Sequence, residues 1–106
     1  MLLHVKKDTF DKEVLQSNVP ALVDFSAVWC GPCQMMGPVM EKLAAEFQGK
    51  AKVAKIDIDQ EPDLAAKYRI MAVPSFVFFK DGKVADTITG VVPEEVLAKK
   101  LEELKR

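Results

Sequence analysis

Two thiols three residues apart are the most reactive groups in this chain, and they lie in the run Trp29-Cys30-Gly31-Pro32-Cys33. The run falls between a strand-like segment and a long helical pattern. The first thiol should therefore sit at a helix N-terminus and the second one turn inside it. With Cys30 as N-cap, Gly31, Pro32 and Cys33 fill the first three helical positions, and the Cys33 N–H can donate to the Cys30 sulfur. Pro32 removes one of the N–H groups that a helix start leaves unpaired. The helix dipole and that hydrogen bond both favour thiolate over thiol, lowering Cys30 from the free value of about 8.5. A thiolate at neutral pH is a nucleophile toward disulfides. Positions i and i+3 on a helix also bring Cβ atoms to about 5–6 Å, from which a small adjustment closes a disulfide between Cys30 and Cys33.

Other chemistries for the pair are weaker. Zinc takes four ligands, and the one other soft candidate, His4, is far away in sequence, so no metal is expected in a single chain. Two copies would supply four thiols to a bridging cluster. An inert core pair is disfavoured by the open Gly-Pro turn and by Trp29, which reads as a loop aromatic rather than a strand residue. Outside the motif, Asp24 stands inside Ala21-Leu22-Val23-Asp24-Phe25, a run otherwise apolar on both alternating faces. An acid placed there is desolvated and prefers its neutral form, so its pKa is expected to rise. Met35, Met36 and Met40 follow helix periodicity and are expected to pack on the sheet, and His4 reads as an edge-strand residue.

These groups need elements to hold them. Asp8 and Thr9 offer capping groups for a short first helix that carries Phe10, Val14 and Leu15 and ends near Ser17-Asn18. Residues 21–25 read as a central strand covered on both sides. Met36, Val39, Met40, Leu43 and Phe47 form one stripe of a long helix that Pro38 should kink and Gly49 should end. Lys52 to Ile58 reads as a strand, and Glu61-Pro62 opens a short helix with Leu64 and Tyr68 one turn apart. Residues 75–79, the turn Asp81-Gly82 and residues 84–89 give a strong hairpin signal. Pro93-Glu94-Glu95 opens a last helix bearing Leu97, Leu101 and Leu104, with Lys105-Arg106 complementing its C-terminal dipole. The resulting order, β-α-β-α-β-α-β-β-α, predicts an α/β fold: a central mixed sheet, parallel at first and ending in an antiparallel hairpin, flanked by helices on both faces.

Composition bounds the rest. A chain of 106 residues that is 49% hydrophobic and 29% charged matches one folded domain spanning 1–106 and excludes global disorder. Fifteen basic and sixteen acidic residues, interspersed to a net charge of -1, present no face for phosphate backbones, so no nucleic-acid partner is expected. The long uncharged stretches, 25–40 and 70–79, both contain proline, and no membrane span is predicted. The start, Met1-Leu2-Leu3-His4-Val5-Lys6-Lys7, lacks the apolar core and cleavage site of a secretory signal, which makes cytoplasmic the default address. Two cysteines are too few for a disulfide scaffold.

Val23-Asp24-Phe25, Ala27, Trp29-Cys30-Gly31-Pro32-Cys33, Pro38, Lys55-Ile56-Asp57-Ile58-Asp59, Tyr68, Val73-Pro74-Ser75, Phe79-Lys80-Asp81-Gly82 and Gly90 stand in an order and spacing that resemble the thioredoxin family nearly end to end. The resemblance implies the thioredoxin fold and a protein disulfide reductase that donates electrons to disulfide-containing proteins and reductive enzymes. Cys30 would be the nucleophile and Cys33 the resolving thiol. Gly-Pro between the cysteines resembles reducing members more than oxidases and isomerases. Asp24 would lie beneath Cys33 and relay its proton, with Lys55 as an electrostatic partner. Val73-Pro74 would be a cis bond facing the cysteines, and Trp29, Gly31, Pro32, Ile58, Val73, Pro74 and Gly90 would form a shallow groove for an extended substrate segment. No cofactor is implied, since the chain carries no nucleotide or flavin fingerprint. Recycling would fall to a thioredoxin reductase, and a monomer is the expected state. Ser26, Gln34, Met71-Ala72 and Thr89 depart from the usual family pattern and bear on partner preference. An oxidant or isomerase, or a binding module whose groove serves as a subunit interface, are the rival readings.

Overall fold

The computed structural model describes residues 1–105; the dipole role expected of Arg106 lies outside them. The chain runs β1 (Leu3–His4), α1 (Lys7–Phe10), a π-helical stretch (Asp11–Leu15), β2 (Ala21–Ser26), α2 (Gly31–Glu46), β3 (Lys52–Asp57), α3 (Pro62–Lys67), β4 (Ser75–Lys80), β5 (Lys83–Thr89) and α4 (Glu94–Leu104). That is the order expected from the sequence. The five strands form one mixed sheet in the order β1-β3-β2-β4-β5. β1 and β2 both run parallel to β3, while β4 is antiparallel to β2 and β5 to β4.

Alternation along β2 splits the core. Ala21, Val23 and Phe25 point to the face that carries Phe10, Val14 and Leu64, so α1, its π-helical extension and α3 cover that side. Leu22 points to the face where Met36, Met40 and Leu43 of α2 pack with Leu97 and Leu101 of α4. Every residue of β2 is buried, which is why the strand is apolar on both faces except at Asp24 and Ser26. Tyr68, capping α3, sets its ring tilted at 5.5 Å from Phe10 and edge-on at 5.3 Å from Phe79, closing the first layer. The β4–β5 hairpin turns through Asp81 and Gly82, both at positive φ, as a two-residue primed turn requires.

Local details differ from the sequence reading at three points. The first helix starts at Lys7 and its regular bonding ends at Leu15. Asp8 and Thr9 lie inside its first turn, and the Thr9 hydroxyl accepts the Lys6 N–H at 3.1 Å instead of capping ahead of Phe10. The 2.8 Å bond from Gln16 N–H to the Asp11 carbonyl spans five residues, so the helix widens and stops short of Ser17-Asn18. Met36 and Met40 are buried as expected, but Met35 is exposed, because one residue's rotation of about 100° carries it off the apolar stripe.

Candidate active site

The carboxyl ends of β1, β3 and β2 lie at one edge of the sheet, and the loop leaving β2 carries the thiols there. Cys30 is the N-cap of α2, extended at φ -92°, ψ 111°, and Pro32 sits in the first turn. The Cys33 N–H donates to Cys30 Sγ at 3.1 Å. The two residues form a disulfide with Cα atoms 5.2 Å apart. Cys30 keeps 5% of its surface exposed and Cys33 only 1%; both pack with Ala27, the first at the end of the helix and the second inside its first turn.

A second loop meets the first. Val73 and Pro74 are joined by a cis bond, and the Val73 carbonyl oxygen lies 3.8 Å from Cys30 Sγ. The Ser75 hydroxyl donates to the Ala72 carbonyl at 2.6 Å, and Gly90 N–H donates to the Pro74 carbonyl at 2.9 Å, so the 72–74 loop is tied to the start of β4 and the end of β5. Beside it lies a pocket of about 290 Å³ lined by Trp29, Ile58, Ile70, Met71, Ala72 and Val73. Trp29 is largely exposed, and its indole N–H donates to Asp59 Oδ2 at 2.7 Å. The Asp57 carboxylate in turn accepts the Asp59 and Gln60 N–H groups, which shapes the turn after β3.

Asp24 is buried on the face that α2 covers, and neither carboxyl oxygen has a hydrogen-bond partner among the described residues. Burial pushes its pKa from 3.8 up to about 7, and the opposing field of Lys55 limits the rise. Lys55 is the register neighbour of Asp24 on β3 and is half-buried on the same face.

Of the groove residues expected from sequence, Trp29, Ile58 and Val73 share the pocket wall. Gly31 and Pro32 lie in the first turn of α2, and Gly90 pins Pro74 from the β5 side. Ile70, Met71 and Ala72 were missed as lining residues. Their signal was an uncharged apolar run between α3 and Pro74 that belongs to no strand. Asp59 was missed as the partner of Trp29, since nothing local links positions thirty apart.

A disulfide at a helix N-cap, beside a cis-proline loop and an apolar pocket, defines a thiol–disulfide oxidoreductase. The family model described as Thioredoxin matches residues 1–103. Among relatives, the chain is 48% identical over 94 residues to Thioredoxin 2 of Chlorobaculum tepidum, covering 89% of this chain and 86% of that one. It is 45% identical over 98 residues to Thioredoxin 1 of a Nostoc species, covering 92% of each. It is also 46% identical over 101 residues to thioredoxin of Staphylococcus aureus, covering 95% of each. The chain belongs to the thioredoxin family and is a protein disulfide reductase. Family membership implies disulfide-containing substrates and a reductase partner, and no described helix is long and apolar enough to cross a membrane.

Proposed function

We propose that the reduced protein opens substrate disulfides with Cys30 as the attacking sulfur and Cys33 as the resolving one. The observation that carries this is the asymmetry at the start of α2: Cys30 Sγ accepts the Cys33 N–H at the helix N-terminus, and Cys30 is the less buried residue of the pair. The dipole and this bond stabilise a thiolate on Cys30. In the first step Cys30 sulfur bonds to one substrate sulfur and the other leaves as thiolate. In the second, Cys33 sulfur bonds to Cys30 sulfur and the remaining substrate sulfur departs, so two electrons pass to the substrate and the Cys30–Cys33 disulfide forms. Cys33 must lose its proton for this, and the buried carboxylate of Asp24 takes it, with Lys55 keeping that carboxylate accessible near neutral pH.

Trp29, Gly31, Pro32, Ile58, Val73, Pro74 and Gly90 form the docking surface, to which the pocket adds Ile70, Met71 and Ala72. The Val73 backbone is placed to pair with an extended substrate segment. The chain is read as one domain over 1–106, acting as a monomer in the cytoplasm on disulfide-containing proteins and recycled by a separate thioredoxin reductase.

The test is trapping. Cys33→Ser should form a stable mixed disulfide with a protein substrate through Cys30, seen by intact mass after acid quench, while Cys30→Ser should trap nothing. Trapping through Cys33 at a comparable rate would overturn the assignment.

A further inference from the structure

Asp24 must gain and lose a proton to act as a relay, yet its surroundings offer almost no way out. Along β2 its same-face neighbours are Leu22 and Ser26, both buried. Across the sheet on one side it faces Phe76 of β4, fully buried. Above that face, α2 turns Cys33, Met36 and Met40 inward, with Cys33 held in the disulfide. The remaining side is β3, where Lys55 is in register with Asp24, and beyond Lys55 in the same register stands His4 of β1, which is exposed. One row across three parallel strands therefore runs from solvent to the buried acid: His4, Lys55, Asp24.

That row opens into a second cleft, about 250 Å³, at the carboxyl ends of the three strands. It is lined by His4, Val5, Lys6, Val28, Lys55, Asp57, Gln60 and Glu61. Its lining groups are His4 from β1, Val5 and Lys6 from the loop that follows, Lys55 and Asp57 from β3, Gln60 and Glu61 from the turn before α3, and Val28 from the loop after β2. Four of its eight lining residues are Lys, Asp or Glu, whereas no charged residue lines the pocket beside Val73, and the two share no wall residue.

We propose that this cleft is the solvent port of Asp24: the proton taken from Cys33 leaves the carboxyl past Lys55 to solvent in the cleft, and returns by the same path. The port deepens the relay reading above and rests on it. It uses a surface distinct from the docking groove, so a substrate lying over Trp29 and Val73 leaves the proton route open. One proton leaves Asp24 as its carboxylate forms and passes to water or buffer base, with no other bond changed.

Gln60→Trp and Val28→Trp place an indole at the cleft from two walls without altering charge. In the oxidised full-length chain, the Asp24 titration is followed by the infrared carbonyl band that Asp24→Asn removes. Both fillers should move the midpoint upward by about half a pH unit or more, a threefold fall in acid dissociation and a fraction of the 3–5 units that full burial can impose. Val96→Trp, exposed on α4, should leave it in place. Unshifted midpoints in the folded fillers, or the same shift in Val96→Trp, would overturn the port; if one filler fails to fold, the other decides. A midpoint that moves while the pH profile of insulin reduction stays fixed would show the cleft solvating Asp24 but overturn the relay reading, and with it the proton route proposed here.

Discussion

Replacing Asp24 by asparagine removes one titration from the folded protein and changes little else in shape. The folded carboxyl ionises near pH 7 and the unfolded one near 3.8, so between those values the folded chain holds the extra proton. Stability contributed by this group is therefore fully present below pH 3.8 and falls as pH rises toward 7. A displacement of roughly three units at about 1.4 kcal/mol each gives a loss of about 4 kcal/mol once Asp24 is charged. Asparagine carries no such loss, and like the neutral acid it is an unpartnered polar group in the same place. Asp24→Asn should thus match the parent at pH 4 and exceed it by about 4 kcal/mol at pH 8, which for a domain of this size is a Tm rise of about 15 °C or more. Guanidinium denaturation of both oxidised proteins at pH 4, 6 and 8 measures this. A stability difference constant across the three pH values would refute the reasoning, because it would place the carboxyl in water or give it a partner that survives ionisation.

Three further outcomes follow from the same geometry. Lys55→Met removes the field that favours the Asp24 carboxylate, so the infrared midpoint of Asp24 should rise; an unchanged midpoint would show the ammonium turned away into the cleft. Trp29→Phe keeps a ring in the pocket wall but loses the 2.7 Å bond to Asp59. Stability should change by less than about 1 kcal/mol while KM for insulin rises several-fold, and an unchanged KM would mean the indole orientation is irrelevant to docking. Met40→Ala, at a fully buried position between the sheet and α4, should cost about 2–5 kcal/mol in denaturant with the reduction rate of a small disulfide unchanged.

Most of the fold could be read from local pattern because each element states its own period. Apart from Asp24 and Ser26, β2 is apolar on both faces, and helices cover it on both sides. The stripe through Met36, Met40, Leu43 and Phe47 marks one buried side of α2, and Leu97 with Leu101 does the same for α4. Asp81-Gly82 names its turn through the positive φ that both positions need. The misplacements lie where side chains compete for backbone groups or where one residue turns a face, as at Thr9 and Met35. Strand order is different in kind. No residue of β1 says that it will pair with β3 rather than β2, and the sequence reading reached a mixed sheet without that order.

The chemistry divides along the same line. The thiols could be placed from sequence because the hydrogen bond that favours a Cys30 thiolate joins positions three apart, within one helical turn. Asp24 could be marked as buried because its own strand is apolar, but its neighbours follow from register: Lys55 on one side, Phe76 on the other. The pocket is less legible still, since Trp29, Ile58 and the 70–73 segment come from three loops brought together only when the sheet closes, and no period runs through them. A reactive centre encoded locally on α2 can tolerate change at 70–72, because none of the atoms that hold the sulfurs lies there, whereas the Val73 carbonyl is 3.8 Å from Cys30 Sγ. Met71, almost wholly exposed at the pocket rim, can therefore change without touching any atom that holds the sulfurs.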